Sequence, residues 1–273
     1  MTPTAYQRAR AAAPRAMRPA WGSQAIQLGL TLVAVAALAG MVVDLDLKAH
    51  AFVAGLGKLG RLAATMVPPS DGGDLGRIVR ALAETFAMAF AGTVIAALVA
   101  LAPGIVGAKT VVRHPVLHFA FRRMLDIFRG VPALVWALIF VAAFGLGPFG
   151  GVLALALADI PSLAKLYAEA IENCDDRPME GLRAAGASQL AVLRLGLLPQ
   201  VAPVMASQTL YFLESNFRHA AVLGIVGAGG IGFELEERIR IYAFDEMAFI
   251  VILYVICVAV LDTISQRARA KLA

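Results

Sequence analysis

Charged residues are absent from three long stretches of the chain. These stretches run over 19–43, 85–108 and 130–158 and consist mostly of apolar side chains. A helix needs about 20 apolar residues to cross the roughly 30 Å hydrocarbon core of a bilayer, so each stretch is long enough to span it. A soluble domain with a large core would scatter charged residues every few positions. The pattern therefore predicts an all-α integral membrane protein.

About six transmembrane helices can be placed on this pattern. They are predicted at 25–43, 82–105, 119–143, 150–168, 198–213 and 247–264. The charged first turns of the third helix are expected outside the lipid. The fifth helix is followed by polar residues and by a glycine-rich stretch at 224–232. Non-helical backbone is therefore expected there at membrane depth, covered by protein or by a water-filled path.

The same pattern divides the chain into three regions. Residues 1–20 form an amino-terminal arm, 21–80 hold the first transmembrane helix and an external loop, and 81–273 form the transmembrane domain. Within that domain, a polar segment at about 169–199 joins the fourth and fifth helices.

Lysine and arginine placement predicts the orientation of the chain. Basic residues cluster in the amino-terminal arm, in the loop at 109–123 and in the tail after residue 264. The positive-inside rule places all three clusters in the cytoplasm. Both termini are therefore predicted to be cytoplasmic, and the acidic stretch 234–246 to face the other side.

Composition agrees with a membrane location, since 60% of the residues are hydrophobic and 16% are charged. The formal net charge of +5 would also suit a nucleic-acid partner. The basic residues, however, flank the apolar segments and are not interleaved with groups that read or stack on bases, so no such partner is expected. The two cysteines, Cys174 and Cys257, indicate neither a disulfide framework nor a thiolate metal site.

The polar segment carries a recognisable motif. Residues 180–188 run E-G-L-R-A-A-G-A-S, and Leu198 and Pro199 follow. This run resembles the EAA loop of bacterial ABC importer permeases, although Gly181, Leu182 and Gly196 depart from that pattern. The resemblance implies contact with a partner ATPase through Glu180, Arg183, Ala184, Ala185, Gly186, Ala187 and Ser188. From the residues alone, Gly186 fits a close backbone approach and an ordinary turn equally well.

A wider resemblance covers about 129–273 and, more loosely, the whole chain. It rests on Arg129–Pro132, Leu134–Phe140, Gly147–Phe149, Lys165–Leu166, Ala168–Glu172, Leu198–Gln200, the series Tyr211, Glu214, Asn216 and Arg218, and 222–233. In these runs the chain resembles the permeases of the phosphonate branch of ABC importers, which carry phosphonate, phosphite and related phosphorus oxyanions.

That resemblance implies a type I ABC importer permease fold and a homodimeric pore in the bacterial inner membrane. The implied partners are two copies of a cytoplasmic ATPase, an extracytoplasmic solute-binding protein, a second permease copy and membrane lipid. ATP and Mg would be bound by the ATPase, and no cofactor or metal by this chain, which would transport rather than catalyse. Ala133, Ala158, Asp159 and Phe212 depart from the family pattern and leave the solute open.

Ionisable side chains near the bilayer centre cost at least about 2.5 kcal/mol each, so those present are expected to be paired or functional. The candidates for the translocation pathway or gate are Arg129, Trp136, Asp159, Lys165, Glu214, Asn216, Arg218, Gly227, Gly229, Gly230 and Gly232. Glu214 and Arg218 would share one helix face and could pair there. A structural ion pair and a role in passing an anion fit them equally, and Trp136 also fits packing or an interfacial anchor.

Two further sequence motifs and two other functional classes bear on what the chain does. The run 227–232 matches the dinucleotide fingerprint G-x-G-x-x-G, but its flanks lack alternating strands and helices. The sequence contains no G-x-x-x-x-G-K-[ST], so transport needs a separate ATPase. An ion-coupled secondary transporter could use Asp159 with Lys165. A membrane enzyme would need a nucleophile with its base, or a metal constellation, and neither is found.

Overall fold

The computed structural model describes residues 21–44, 49–109 and 114–272, and every regular element in these ranges is helical. The chain divides into two compact units, Met1–Ala63 and Ala64–Ala273. The helices are α1 (Trp21–Asp44), α2 (Ala49–Thr65), α3 (Leu75–Gly107), α4 (Pro115–Arg129), α5 (Ala133–Phe144), α6 (Pro148–Glu172), α7 (Arg177–Ala184), α8 (Gln189–Val192), α9 (Leu198–Leu223), α10 (Gly230–Arg240) and α11 (Phe244–Ala270). The predicted arm at 1–20 lies outside the described residues.

Four helical runs in the described residues are long and apolar enough to cross a membrane. Three of them, α3, α6 and α11, confirm the second, fourth and sixth predicted helices. The fourth run is Gln189–Ala228, which contains α8, the π-helical turn Leu193–Leu197 and α9. The bent pair α4 and α5 makes a fifth span if it is counted as one, and α1 contributes a shorter apolar stretch, Ile26–Leu38. By length and composition, the described residues therefore hold four such spans, or five if the bent pair is counted as one.

The third predicted helix, 119–143, is not continuous. The chain bends by 72° between α4 and α5. Gly130 ends α4, and Pro132, with φ of −61° and ψ of 147°, precedes the first residue of α5. Glycine has a low helix propensity, and proline lacks the N–H group and restricts the residue before it. The prediction of one continuous helix was wrong, because Gly130 and Pro132 break it.

Two other boundaries differ from the prediction. The connection predicted as an external loop before residue 80 contains α2 and the start of α3. The fifth helix does not end at Leu213 but continues as α9 to Leu223. Glu214, Asn216 and Arg218 therefore lie inside this helix, where each has a side-chain partner.

Helices α3 and α6 pack closely at small residues. A methyl group added at Gly92 would lie 2.9 Å from the Leu155 Cβ, and one added at Gly104 would lie 2.8 Å from the Tyr167 Cβ. Small residues let helix backbones approach in this way in membrane proteins. Phe217 of α9 packs into a buried apolar cluster that also contains Leu155. This packing brings the polar face of α9 against α3 and α6.

Candidate functional site

The segment that resembles the EAA loop is a helix, a tight turn and a second helix. Helix α7 ends in a Schellman motif, in which the Gly186 N–H donates to the Arg183 carbonyl and the Ala187 N–H donates to the Leu182 carbonyl, both at 3.0 Å. Ser188 then caps α8 by accepting the Ala191 N–H at 3.4 Å. The sequence builds this shape locally, because glycine and serine stand where the turn and the cap require them.

Gly186 has a positive φ of 79°, and nothing lies within 4 Å of the position that a side chain would occupy. Within this chain, the left-handed backbone of the turn therefore accounts for a glycine at position 186, and a close approach of backbones does not. Glu180, Arg183, Ala184 and Ala185 are exposed around it. The segment thus presents small side chains to solvent, together with the charged groups of Glu180 and Arg183.

Gly196, which departs from the EAA pattern, has a packing explanation. A methyl group added there would lie 2.9 Å from the Met179 Cγ and 3.2 Å from the Leu182 Cδ1. Helix α7 therefore rests directly on the turn Leu193–Leu197 at the base of α9. A larger residue at this position would push the two apart.

One group of predicted pathway residues forms a buried polar contact among three helices. The Asn216 amide of α9 donates to the Thr93 hydroxyl of α3 at 2.9 Å and to the Asp159 carboxylate of α6. Asn216 and Thr93 are 1% exposed, and Asp159 is 9% exposed. A buried polar group is costly unless it is hydrogen-bonded, so this contact ties α3, α6 and α9 together.

A second group lies on the same stretch of α9, on either side of Asn216 in the sequence. Glu214 pairs with Arg218 at 2.8 Å, which confirms that the two share a helix face. The other Glu214 oxygen pairs with Arg269 of α11 at 3.2 Å. The Arg218 side chain remains 44% exposed and borders a groove that is also lined by Val222, Tyr254 and other apolar residues of α9, α10, α11 and the turn after α9.

Lys165 and Asp159 do not form the site that an ion-coupled transporter was expected to use. The Lys165 ammonium donates to Asp126 of α4 at 2.5 Å, and Arg123 pairs with the same carboxylate at 3.1 Å. Asp159 is bound instead by Asn216. The two side chains lie on one helix but face different partners.

Arg129 and Trp136 flank the bend between α4 and α5. Arg129 is exposed at the end of α4. Trp136 is half-buried, stacks on Phe140 at a centroid distance of 6.3 Å and packs against the cluster around Phe217. Its indole N–H finds no hydrogen-bond partner among the described residues. Packing, one of the two structural interpretations of Trp136, is thus observed.

The predicted gate glycines form a tight connection between α9 and α10. Val226 and Gly227 leave helical geometry, as expected for this stretch, and Gly227, Gly229 and Gly230 have positive φ. The Thr85 hydroxyl of α3 accepts the Ile231 N–H at 2.8 Å. A side chain at Gly232 would overlap the Ala221 carbonyl oxygen. A helix and not a strand precedes the fingerprint-like run, so the context of a dinucleotide site is missing there.

A buried arginine that the sequence analysis did not single out joins α3, α10 and α11. Arg238 is 3% exposed and pairs with Asp74 at 3.0 Å, Glu234 at 3.1 Å, Glu237 at 3.2 Å and Glu246 at 3.0 Å. Four carboxylates therefore neutralise the charge of one buried guanidinium.

Other partners were also missed by sequence reasoning. Asp126 was the one acidic residue among the basic residues of α4, which was a usable signal. Arg269 was assigned to a basic tail, and nothing local linked it to Glu214, 55 positions away. Among the described residues, no group of three or more His, Cys, Asp or Glu side chains could hold a metal ion.

The family model for "Binding-protein-dependent transport system inner membrane component" matches residues 92–273. The chain is 42% identical to the phosphite transport system permease protein PtxC of Stutzerimonas stutzeri over 219 residues, which cover 80% of this chain and 79% of that one. It is 39% identical to the phosphate-import permease protein PhnE of Mycolicibacterium smegmatis over 207 residues, 76% of this chain and 39% of that one.

A solved structure supports the fold. A chain of the MetNI methionine ABC transporter, in an inward-facing conformation, superimposes with a TM-score of 0.63 and 25% identity, covering 72% of this chain and 96% of that one. The family match covers more than half of the chain, and the helical architecture is the same. The chain therefore belongs to the family of inner membrane components of binding-protein-dependent transport systems.

Proposed function

We propose that this chain forms the membrane path of an ATP-driven importer for phosphite, a phosphonate or a related phosphorus oxyanion. The observation that carries the proposal is the 42% identity to a phosphite permease over 80% of the chain. The exposed guanidinium of Arg218, held against the Glu214 carboxylate at 2.8 Å, supports it. Guanidinium groups match the geometry of tetrahedral oxyanions and remain charged at any physiological pH.

Energy enters, in this proposal, through α7 and the turn that follows it. A separate ATPase, which binds ATP and Mg, would contact Glu180 to Ser188, and its closure would move this segment as a rigid body. The exposed small residues and the capped helix ends support such a contact. The movement would switch the path between access from outside and access from the cytoplasm.

The assembly that fits this role has two copies of the chain, two ATPase subunits and an extracytoplasmic solute-binding protein in the inner membrane. Both termini would lie in the cytoplasm. The basic clusters in the loop at 109–123 and in the tail after residue 264 support this orientation through the positive-inside rule.

The solute is tested by uptake into proteoliposomes that contain the complete complex. We expect ATP-dependent accumulation of phosphite or methylphosphonate and no accumulation of methionine, the solute of the structural neighbour. Uptake that persists when the ATPase is inactivated by mutation would instead favour an ion-coupled transporter. Accumulation of methionine alone would reject the proposed substrate class.

Arg218→Ala is expected to lower uptake at least about tenfold, because a guanidinium that pairs with an anion in a partly dry path contributes on the order of 1.5–3 kcal/mol. Uptake and binding-protein-stimulated ATP hydrolysis are measured together. Arg267→Ala, which changes an exposed arginine of α11, serves as the control and should leave both unchanged. Unchanged uptake in Arg218→Ala would remove Arg218 from the path.

Gly186→Ala is expected to weaken coupling, because alanine at a φ of 79° is strained by roughly 1–2 kcal/mol and the Schellman turn would reshape to relieve it. We expect a several-fold loss of uptake in an assembled complex. Gly181→Ala is the matched control, since Gly181 lies in α7 with nothing within 4 Å and gains helix propensity. Equal uptake by both variants would contradict the proposed role of the turn.

A further inference from the structure

The side chain of Gln200 joins Asp175, just before α7, to the base of α9. Its Oε1 accepts the Asp175 N–H at 3.0 Å, and its Nε2 donates to the Asp175 carbonyl at 3.1 Å. The same Nε2 donates to the Gly196 carbonyl at 2.7 Å. One amide side chain thus holds both polar groups of a backbone residue that lies two positions before α7.

The end of α6 is attached elsewhere. A Glu172 carboxylate oxygen accepts from Arg122 of α4 at 2.8 Å and from the Lys109 N–H, beyond the end of α3, at 2.7 Å. The Arg122 side chain also reaches the Gly107 carbonyl at 3.4 Å. The last turn of α6 is therefore fixed to α3 and α4, whereas Asp175, three residues later, is fixed to α9.

A cleft of about 340 Å³ lies between the end of α6 and α9, next to the Gln200–Asp175 contact. It is lined by Glu169, Asn173 and Cys174 on the α6 side and by Gln200, Val204 and Gln208 on the α9 side. The Cys174 thiol still belongs to α6, since it donates to the Ile171 carbonyl at 3.1 Å. Burial, together with the nearby Asp176 carboxylate, raises the pKa of this thiol. The chain crosses from one attachment to the other between Cys174 and Asp175.

We propose that Gln200 is a positioning residue for energy coupling, which makes α7 move with α9 and not with α6. The contact of α7 with Gly196 completes the attachment, because Met179 and Leu182 rest on the base of α9. A displacement of α7 then passes directly into the helix that carries Asn216 and Arg218. The cleft allows this displacement without disturbing the anchored end of α6. The inference rests on the proposed function, because its test measures solute import by an ATP-driven complex.

The test is Gln200→Glu in the complete complex, with ATPase and binding protein, in proteoliposomes. Glutamate keeps the size of the side chain and can still accept the Asp175 N–H, but it cannot donate to either carbonyl. A typical coupling free energy between two sites corresponds to a factor of about five or more. We therefore expect the number of ATP molecules hydrolysed per solute imported to rise at least about fivefold. Basal hydrolysis should stay within about twofold of the wild type.

Gln208→Glu is the matched control. Gln208 lies on the same helix and lines the same cleft, and among the described residues it makes no hydrogen bond. Its variant should couple like the wild type. Gln200→Met, which removes all three hydrogen bonds without adding charge, should behave like Gln200→Glu. Failure of both Gln200 variants to assemble with the ATPase would count against the inference, because Gln200 would then be a folding residue.

Two outcomes overturn the inference while leaving the proposed function intact. In one, Gln200→Glu couples as efficiently as the wild type. In the other, hydrolysis and import fall in parallel. A wild-type complex that imports no phosphorus oxyanion would instead reject the proposed substrate. Stimulation of hydrolysis by the binding protein is measured alongside, because it reports coupling whichever solute is carried.

Discussion

Replacing Arg238 with glutamine is expected to destabilise the protein by about 3–5 kcal/mol, because the change removes one partner of a buried ion-pair cluster. Glu234, whose side chain is 7% exposed, would keep Arg77 at 2.9 Å as its cationic partner. Asp74 and Glu246 would lose the guanidinium that joins α3 to α11. Thermal unfolding of the purified chain in detergent measures the effect as a fall in the midpoint.

Arg240→Gln is the matched control. Arg240 lies two residues away on the same helix and pairs with Glu236, but its side chain is 77% exposed. An exposed pair of this kind contributes about 0–1 kcal/mol, so the midpoint should change little. Arg238→Lys should fall between the two, since an ammonium keeps the charge but cannot reach four carboxylates as a planar fork does. Equal midpoints for Arg238→Gln and Arg240→Gln would show that the cluster does not stabilise the fold.

Replacing Gly232 with alanine is expected to cost about 3 kcal/mol or more and to abolish uptake. The added Cβ would overlap the Ala221 carbonyl oxygen and would lie 2.9 Å from the Gly224 Cα. Both obstacles are backbone atoms, which cannot rotate away as the end of a long side chain can. The α9–α10 connection would have to open. Size-exclusion profiles of heated samples, with uptake by the same preparation, measure the loss.

The comparison for this change is Gly76→Ala in the first turn of α3. Nothing lies within 4 Å of the position of its added Cβ, and alanine has the higher helix propensity. This variant should match or slightly exceed the wild type in stability. If Gly232→Ala is as stable and active as Gly76→Ala, the close approach at Gly232 is not required.

The transmembrane helices were predictable where a single property of consecutive residues decides the outcome. Apolar runs that are long enough to cross a bilayer as helices predicted α3, α6 and α11. The break between α4 and α5 also has a local cause in Gly130 and Pro132. The end of α9 had no such signal, because Glu214 and Arg218 lower the hydropathy of a segment that is nevertheless helical.

The polar partners could be predicted only when they share a helix face. The Glu214–Arg218 pair follows from a spacing of four residues. Lys165 offered two candidate roles, and it pairs with Asp126 of α4, 39 positions away. The three hydrogen bonds of Gln200 depend on where α9 begins relative to Asp175 and could not be inferred from either stretch alone.

The sequence by itself determined that this is an all-helical membrane protein and where the segment that resembles the EAA loop lies. Transfer of apolar side chains into lipid and the chemistry of helix ends act over a few neighbouring residues, so both are written in consecutive positions. The tertiary structure decided which charges neutralise each other, that α7 rests on the base of α9, and that Asn216 joins Asp159 to Thr93. Those choices depend on the packing of helices far apart in the chain, where small residues such as Gly92 set how closely the partners approach.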